Sequence, residues 1–398
     1  MHKFVLIFLF AGMTTWRSLA SAEALVLDKL VTNGCVWVAK GEKPLFQYPS
    51  HCNSLPIPAS ILKIATASLA IETLGPEYRY TTEFWADPEG WLGIRGFGDP
   101  LLVSEAWEEI AMALAVNPSI PRRFSGIFLD TTAFTRDERI PGTKGSLNPY
   151  DAWNGALVTN FNSVNLHIAA DGSVLSAEPQ TPVLPLTIRL AQGLKPGEHR
   201  INFSRHPEYA LPYLAGLARA FLTRQGFIFH SELVVERPVG PEDHRIFSYV
   251  NPRPLMNTIA GMLHYSNNFT SNQLLLTIGS QQFGPPATLK KAATALQQYL
   301  HEKLKIPATE ARVEEGSGIS RGNRMTPAAI VRVLEAFRPY LNLLPEQNQI
   351  HLKTGTLQGV YSLAGYLPNG AVFVIMLNQP ENTRDAVLQA LLDAGLGN

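Results

Sequence analysis

The chain has 398 residues, 45% hydrophobic and 17% charged, which is enough apolar material for a sizeable core in two or three domains. Lysine plus arginine and aspartate plus glutamate each number 33, so the formal net charge is +0. That balance carries no electrostatic footprint for nucleic acid or an anionic membrane surface.

Residues 1–22 read as an export signal. A short basic start, "MHK", precedes the apolar run "FVLIFLFAGM", and Ala20 and Ala22 stand in the A-x-A arrangement that signal peptidases cut. The run is too short to span a membrane, and no later stretch is long and apolar enough. The mature chain is expected to begin near Glu23. The two cysteines, Cys35 and Cys52, flank "GEKP", a turn between "VWVAK" and "LFQYPS". An exported chain permits a disulfide between them, and two separate buried thiols are the other reading.

The stretch from Ala59 to Leu74 reads as a buried helix, apolar almost all round and stopped at Gly75-Pro76. "TTEFWA" and "GWLGIRGFGDPLL" come next, then a helix at "SEAWEEIAMALAV", and "FSGIFLD", "NFNSVNLHIAA", "PLTIRLA" and "HSELVVER" read as strands. The prolines between Pro179 and Gly197 suggest a surface connector. After Arg245 the character turns helical, through "PLMNTIAGMLHYSNNFTSNQLLLTIGS", "TLKKAATALQQYLHEKL" and "TPAAIVRVLEAFR", the last capped by Thr326 with Pro327 at its first position. "IHLKTGTL", "VYSLAGYL" and "AVFVIML" are strands, and "TRDAVLQALLDAG" is an amphipathic helix expected to pack on them. The pattern predicts an α+β fold: a discontinuous domain, 23–83 and 246–398, interrupted by a strand-rich insert, 84–245.

Three short motifs carry candidate chemistry. Ser60 and Lys63 are three residues apart, one helical turn. In an apolar setting desolvation disfavours the charged lysine, and a neutral amine can take the proton of a serine hydroxyl. The bland reading is an N-cap serine and a snorkelling lysine. Ser266, Asn267 and Asn268 offer a hydroxyl and an amide, or simply a cap. Lys353, Thr354 and Gly355 lie on a predicted strand, where a glycine lets another backbone approach closely and an ammonium can hold a carboxylate. An edge strand with a protective lysine is the alternative.

Each motif is weak alone. Their order, Ser-x-x-Lys, Ser-x-Asn, Lys-Thr-Gly, is that of penicillin-binding proteins and β-lactamases. "GDPLL", "LDTTAF", "NFNSVNLHI", "YSNNFTSNQLL", "EGSGISRGNRMTP" and "KTGTLQGVYSLAGYL" extend the match over nearly the whole mature chain. The chain resembles the D-alanyl-D-alanine carboxypeptidases/endopeptidases among the low-molecular-mass class C penicillin-binding proteins. The resemblance implies a penicillin-binding-protein/β-lactamase-like transpeptidase domain, an antiparallel sheet flanked by helices. It implies Ser60 as acylated nucleophile, Lys63 as general base, Ser266 and Asn268 as the second motif, and Lys353, Thr354 and Gly355 as the substrate strand. Backbone N–H groups of Ser60 and Thr356 would hold the oxyanion. Its implied partners are peptidoglycan stem peptides and β-lactams, and its implied location is the periplasm, soluble or peripherally wall-associated. A weakly catalytic wall-binding protein and a β-lactamase are the rival functions.

Three departures stand out. Asn267 and Glu315 occupy positions where the family usually has aspartate, and a segment with a Gly-Thr-Leu element before the Lys-Thr-Gly strand is missing. Neither a cofactor nor a metal is expected. "GIRGFGD" lacks the spacing of a dinucleotide fingerprint, and the ten histidines form no HExxH or clustered pattern.

Overall fold

A computed structural model describes residues 26–50, 52, 55–136 and 138–397, so the export signal lies outside the described residues. The chain divides into two compact units. One comprises the described residues of Met1–Ile61, Ile306–Ala311 and Arg324–Asn398, and the other Leu62–Lys305 and Arg312–Asn323.

The first unit is built on a six-stranded antiparallel sheet. Its order is Glu346–Gln347, Ile350–Leu357, Val360–Tyr366, Val372–Leu377, Gly34–Lys40, Lys43–Tyr48. The hairpin read from "VWVAKGEKPLFQYPS" is therefore present, and it completes a sheet whose other strands come from the far end of the chain. Val36 pairs with Ile375, which joins the two ends. All six residues of Val372–Leu377 are buried. Such a strand must be covered on both faces, and helices Pro327–Phe337 and Arg384–Asp393 both pack against it. Thr326 caps the former, its side chain accepting from the Ala329 N–H. Cys35 and Cys52 form a disulfide with Cα atoms 5.9 Å apart, which resolves the two readings of these cysteines.

In the second unit, helix Lys63–Leu74 packs against Leu255–His264 and Asn268–Phe283, and the latter against Leu289–Gln298. The chain between them forms a mixed five-stranded sheet ordered Val234–Glu236, Ile127–Asp130, Leu92–Gly96, Thr81–Ala86, His244–Val250, and a three-stranded sheet around Ser163–Ile168. The expected insert boundaries, 84 and 245, fall inside Thr81–Ala86 and His244–Val250, which pair with each other antiparallel. This region is less purely β than its sequence suggests. "PLTIRL", read as a strand, is the helix Pro185–Leu190, and a further helix spans Ala210–Arg224. The supposed surface connector buries Leu184, Leu186, Thr187 and Ala191, because the short helix seats its apolar side in the core of this region.

Candidate active site

The motif residues divide between the two units. In the first, Ala59–Leu62 form a 3-10 turn that leads without a break into helix Lys63–Leu74. Ala59 has φ +49, a left-handed conformation that costs a residue with a Cβ on the order of 1 kcal/mol and fixes the backbone at Ser60. The Lys353 strand runs against this turn. A Cβ added at Gly355 would stand 2.9 Å from the Ser60 nitrogen and 3.0 Å from the Ala59 Cβ and the Pro58 oxygen. Glycine is required here by backbone approach, as the sequence pattern suggested. Gly355 pairs with Ser362 and Thr356 with Tyr361, so the neighbouring strand sets the register of the motif.

Lys353 is 2% exposed and its Nζ donates to the Thr354 oxygen at 3.0 Å. Burial, helped by the charge of Arg384, pulls its pKa from 10.5 down to about 8. Arg384 opens the helix Arg384–Asp393, and its Nη1 donates to the Gly355 oxygen at 3.1 Å and to Thr356 Oγ1 at 2.8 Å.

In the second unit, Lys63 is 0% exposed, and its Nζ donates to Asn268 Oδ1 at 2.7 Å and to the Ser317 carbonyl at 2.6 Å. Asn268 is the first residue of helix Asn268–Phe283. Asn267 is that helix's N-cap, its side chain accepting from the Thr270 N–H at 3.0 Å, so the substitution at this position retains a good capping residue. Ser266 has φ +54 and is partly buried. The Ser317 carbonyl is held in turn by Glu315, a fully buried carboxylate. Glu315 accepts from Asn272 Nδ2, the Ser317 N–H and Oγ–H, the Gly318 and Ser320 N–H groups and Asn323 Nδ2, at 2.6–3.3 Å. Thr66 and Ser271 fix the same loop by donating to the Gly316 carbonyl at 2.7 and 2.9 Å.

Lys63 is thus held in position by two neutral acceptors and is not a surface charge. Sequence reasoning missed Arg384 and treated Glu315 only as a departure. One signal was legible for the loop: Asn268 and Asn272 are four apart and so share a helix face. Among the described residues no group of histidine, cysteine, aspartate or glutamate is arranged to hold a metal.

One unit thus sets a glycine-bearing strand against the Ser60 backbone, and the other holds a buried lysine at the start of a helix. The chain belongs to the D-Ala-D-Ala carboxypeptidase 3 (S13) family, which matches residues 27–187, 208–345 and 338–394. It is thus a serine-type D-alanyl-D-alanine carboxypeptidase of the low-molecular-mass class C group. Penicillin-sensitive carboxypeptidase A from Dictyostelium discoideum is 21% identical over 83% of this chain and 79% of its own. Penicillin binding protein 4 from Haemophilus influenzae has the same fold, with a TM-score of 0.72 at 18% identity over 94% of this chain and 98% of that one. The same Haemophilus protein in complex with a β-lactam superimposes with a TM-score of 0.71.

Proposed function

We propose that Ser60 carries the acyl-enzyme and that the substrates are peptidoglycan stem peptides ending in D-alanyl-D-alanine. The observation that carries this reading is Lys63: fully buried, pinned by Asn268 and the Ser317 carbonyl, and opening the helix that follows the 3-10 turn holding Ser60. Lys63 takes the Ser60 proton as Oγ attacks the penultimate D-alanine carbonyl. The Ser60 and Thr356 N–H groups hold the oxyanion. The C–N bond breaks, and the departing D-alanine amine takes a proton through Ser266. Water, deprotonated by the same base, then hydrolyses the ester and returns Ser60. Lys353, Thr354 and Gly355 align the substrate along the strand.

On the same reading, residues 23–83 and 246–398 form the catalytic domain around the insert 84–245, and the protein acts after export, in the periplasm. Among the described residues, no helix is long and apolar enough to cross a membrane. β-Lactams acylate Ser60 because their ring amide mimics the scissile bond; the Dictyostelium relative's name and the Haemophilus complex support this. The same chemistry opens D-alanyl cross-links. The test is D-alanine release from a purified pentapeptide muropeptide. The wild type should release it, and Ser60→Ala should release none. Wild-type protein that binds but frees no D-alanine favours the wall-binding rival, and rapid nitrocefin turnover favours the β-lactamase.

A further inference from the structure

We infer that the region between Thr131 and Glu236 carries a second binding site, a cavity walled by Trp153 that takes a neutral N-acetylated sugar ring of a glycan chain. The choice of sugar rests in part on the stem-peptide reading above, because stem peptides hang from chains of such sugars. The cavity itself does not.

The cavity measures about 360 Å3, within the range of small-ligand sites, and none of the proposed catalytic residues lines it. Its wall is preformed. Asn162, 4% exposed, donates from Nδ2 to the Trp153 carbonyl at 2.7 Å. Asn154 Nδ2 donates to the Phe269 carbonyl and to Gln273 Oε1, both at 2.9 Å, and Gln273 Nε2 donates to the Gly155 carbonyl at 2.5 Å. Residues 153–155 are thus fixed to helix Asn268–Phe283, and no bond of this frame uses the Trp153 indole. A wall held in this way loses little freedom when a ligand arrives. Leu157 and Leu211 add apolar surface, and Thr131, Arg136 and Glu236 add donors and acceptors. Glu236 accepts from Thr131 Oγ1 at 2.8 Å and from Arg136, so the two full charges here cancel. Glu208, the remaining charged residue of the lining, is engaged by His206 at 3.2 Å. This mixture selects a neutral amphipathic ligand over an ion. A pyranose fits it: its C–H groups are drawn to the negative face of an aromatic ring, and its hydroxyls both donate and accept. The acetamido methyl finds apolar surface at Leu157 and Leu211. Occupancy holds the enzyme beside the stem peptides of the same glycan and raises their effective concentration.

The test titrates the full chain with tri-N-acetylchitotriose, a neutral probe, by calorimetry, in wild type, Trp153→Ala, Trp153→Phe and Ala210→Trp, the last placing bulk in the cavity from helix Ala210–Arg224. Wild type should saturate with a Kd of about 1 mM or below. Trp153→Ala and Ala210→Trp should each weaken binding about tenfold or more, and Trp153→Phe should stay within about threefold of wild type. Thermal melts identify a variant that fails to fold, and the other then carries the test. D-Alanine release from a soluble pentapeptide should stay within about twofold of wild type in Trp153→Ala, since that substrate brings no sugar. Wild type that shows no saturation up to about 10 mM, or folded variants that bind as wild type does, would overturn the inference. So would saturation by the free pentapeptide, and not by the sugar, that is lost in Trp153→Ala. Wild type that binds the sugar and releases no D-alanine is a different failure, that of the stem-peptide reading, and leaves the site standing.

Discussion

Lys63, a lone lysine in an apolar helix, is the residue on which the proposed chemistry turns. A buried amino group is costly unless its donors are satisfied, and here two acceptors are the amide of Asn268 and a loop carbonyl. That carbonyl stays in place because Glu315 gathers the donors of its own loop. Glu315→Gln should therefore act twice. It removes one acceptor oxygen and places an NH2 among donors, costing about 3 kcal/mol of stability. It also loosens the Ser317 carbonyl, lowering kcat more than it raises KM. Thermal unfolding and steady-state kinetics on one preparation check both; unchanged kcat in a destabilised variant would show that the loop does not hold the base. At this scale the sequence was partly legible. Ser60, Lys63 and Lys353 stood out because a lysine among apolar neighbours, or beside a strand glycine, is conspicuous. Arg384 and Glu315 did not, because a charged residue at a helix start or in a Gly-Ser loop looks solvated until its partners are known.

Among elements, the Lys353 strand and the turn before Lys63 matter most. The sequence read residues 59–74 as one helix, whereas the structure begins it with a 3-10 turn after a left-handed Ala59. Periodicity does not separate these forms over four residues, and the tighter turn is decided by the strand lying against Ser60. Gly355→Ala tests that contact. With a Cβ 2.9 Å from the Ser60 nitrogen, one backbone must move, and both proposed oxyanion donors lie on the two segments concerned. Acylation should slow about a hundredfold or more while the fold persists. Stopped-flow acylation by a chromogenic β-lactam measures it, and a loss under threefold would contradict the proposed oxyanion hole. The misread stretch 185–190 failed for the complementary reason. Its six residues are too few for a periodic signal, and tertiary burial of Leu186 and Thr187 made it helical.

For the whole molecule, the antiparallel sheet with its covering helices was legible because its strands are long, β-branched and bounded by turns. The mixed sheet was not, since parallel pairs such as Leu92–Gly96 with Ile127–Asp130 leave no local trace of pairing direction. The molecule's stability should also depend on pH through Asp99. Burial raises its carboxyl from 3.8 to about 6, against the lowering effect of the Asn251 and Leu101 donors. The folded state then holds its proton more tightly than the unfolded chain. This contribution is most favourable below the unfolded value and is lost as pH rises through about 6, amounting to about 3 kcal/mol at most. Asp99→Asn keeps an acceptor and removes the titration. Denaturant midpoints at pH 4.5 and 7.5 should converge in the variant relative to wild type, and an unchanged difference would exclude Asp99 as the source.

The central claim is that Ser60 forms the acyl-enzyme. Incubating the protein with a penicillin and mapping the adduct by peptide mass spectrometry tests it directly. The account predicts one covalent adduct per chain, located on Ser60 and absent from Ser60→Ala. An adduct on another residue, or persistent labelling of Ser60→Ala, would contradict it.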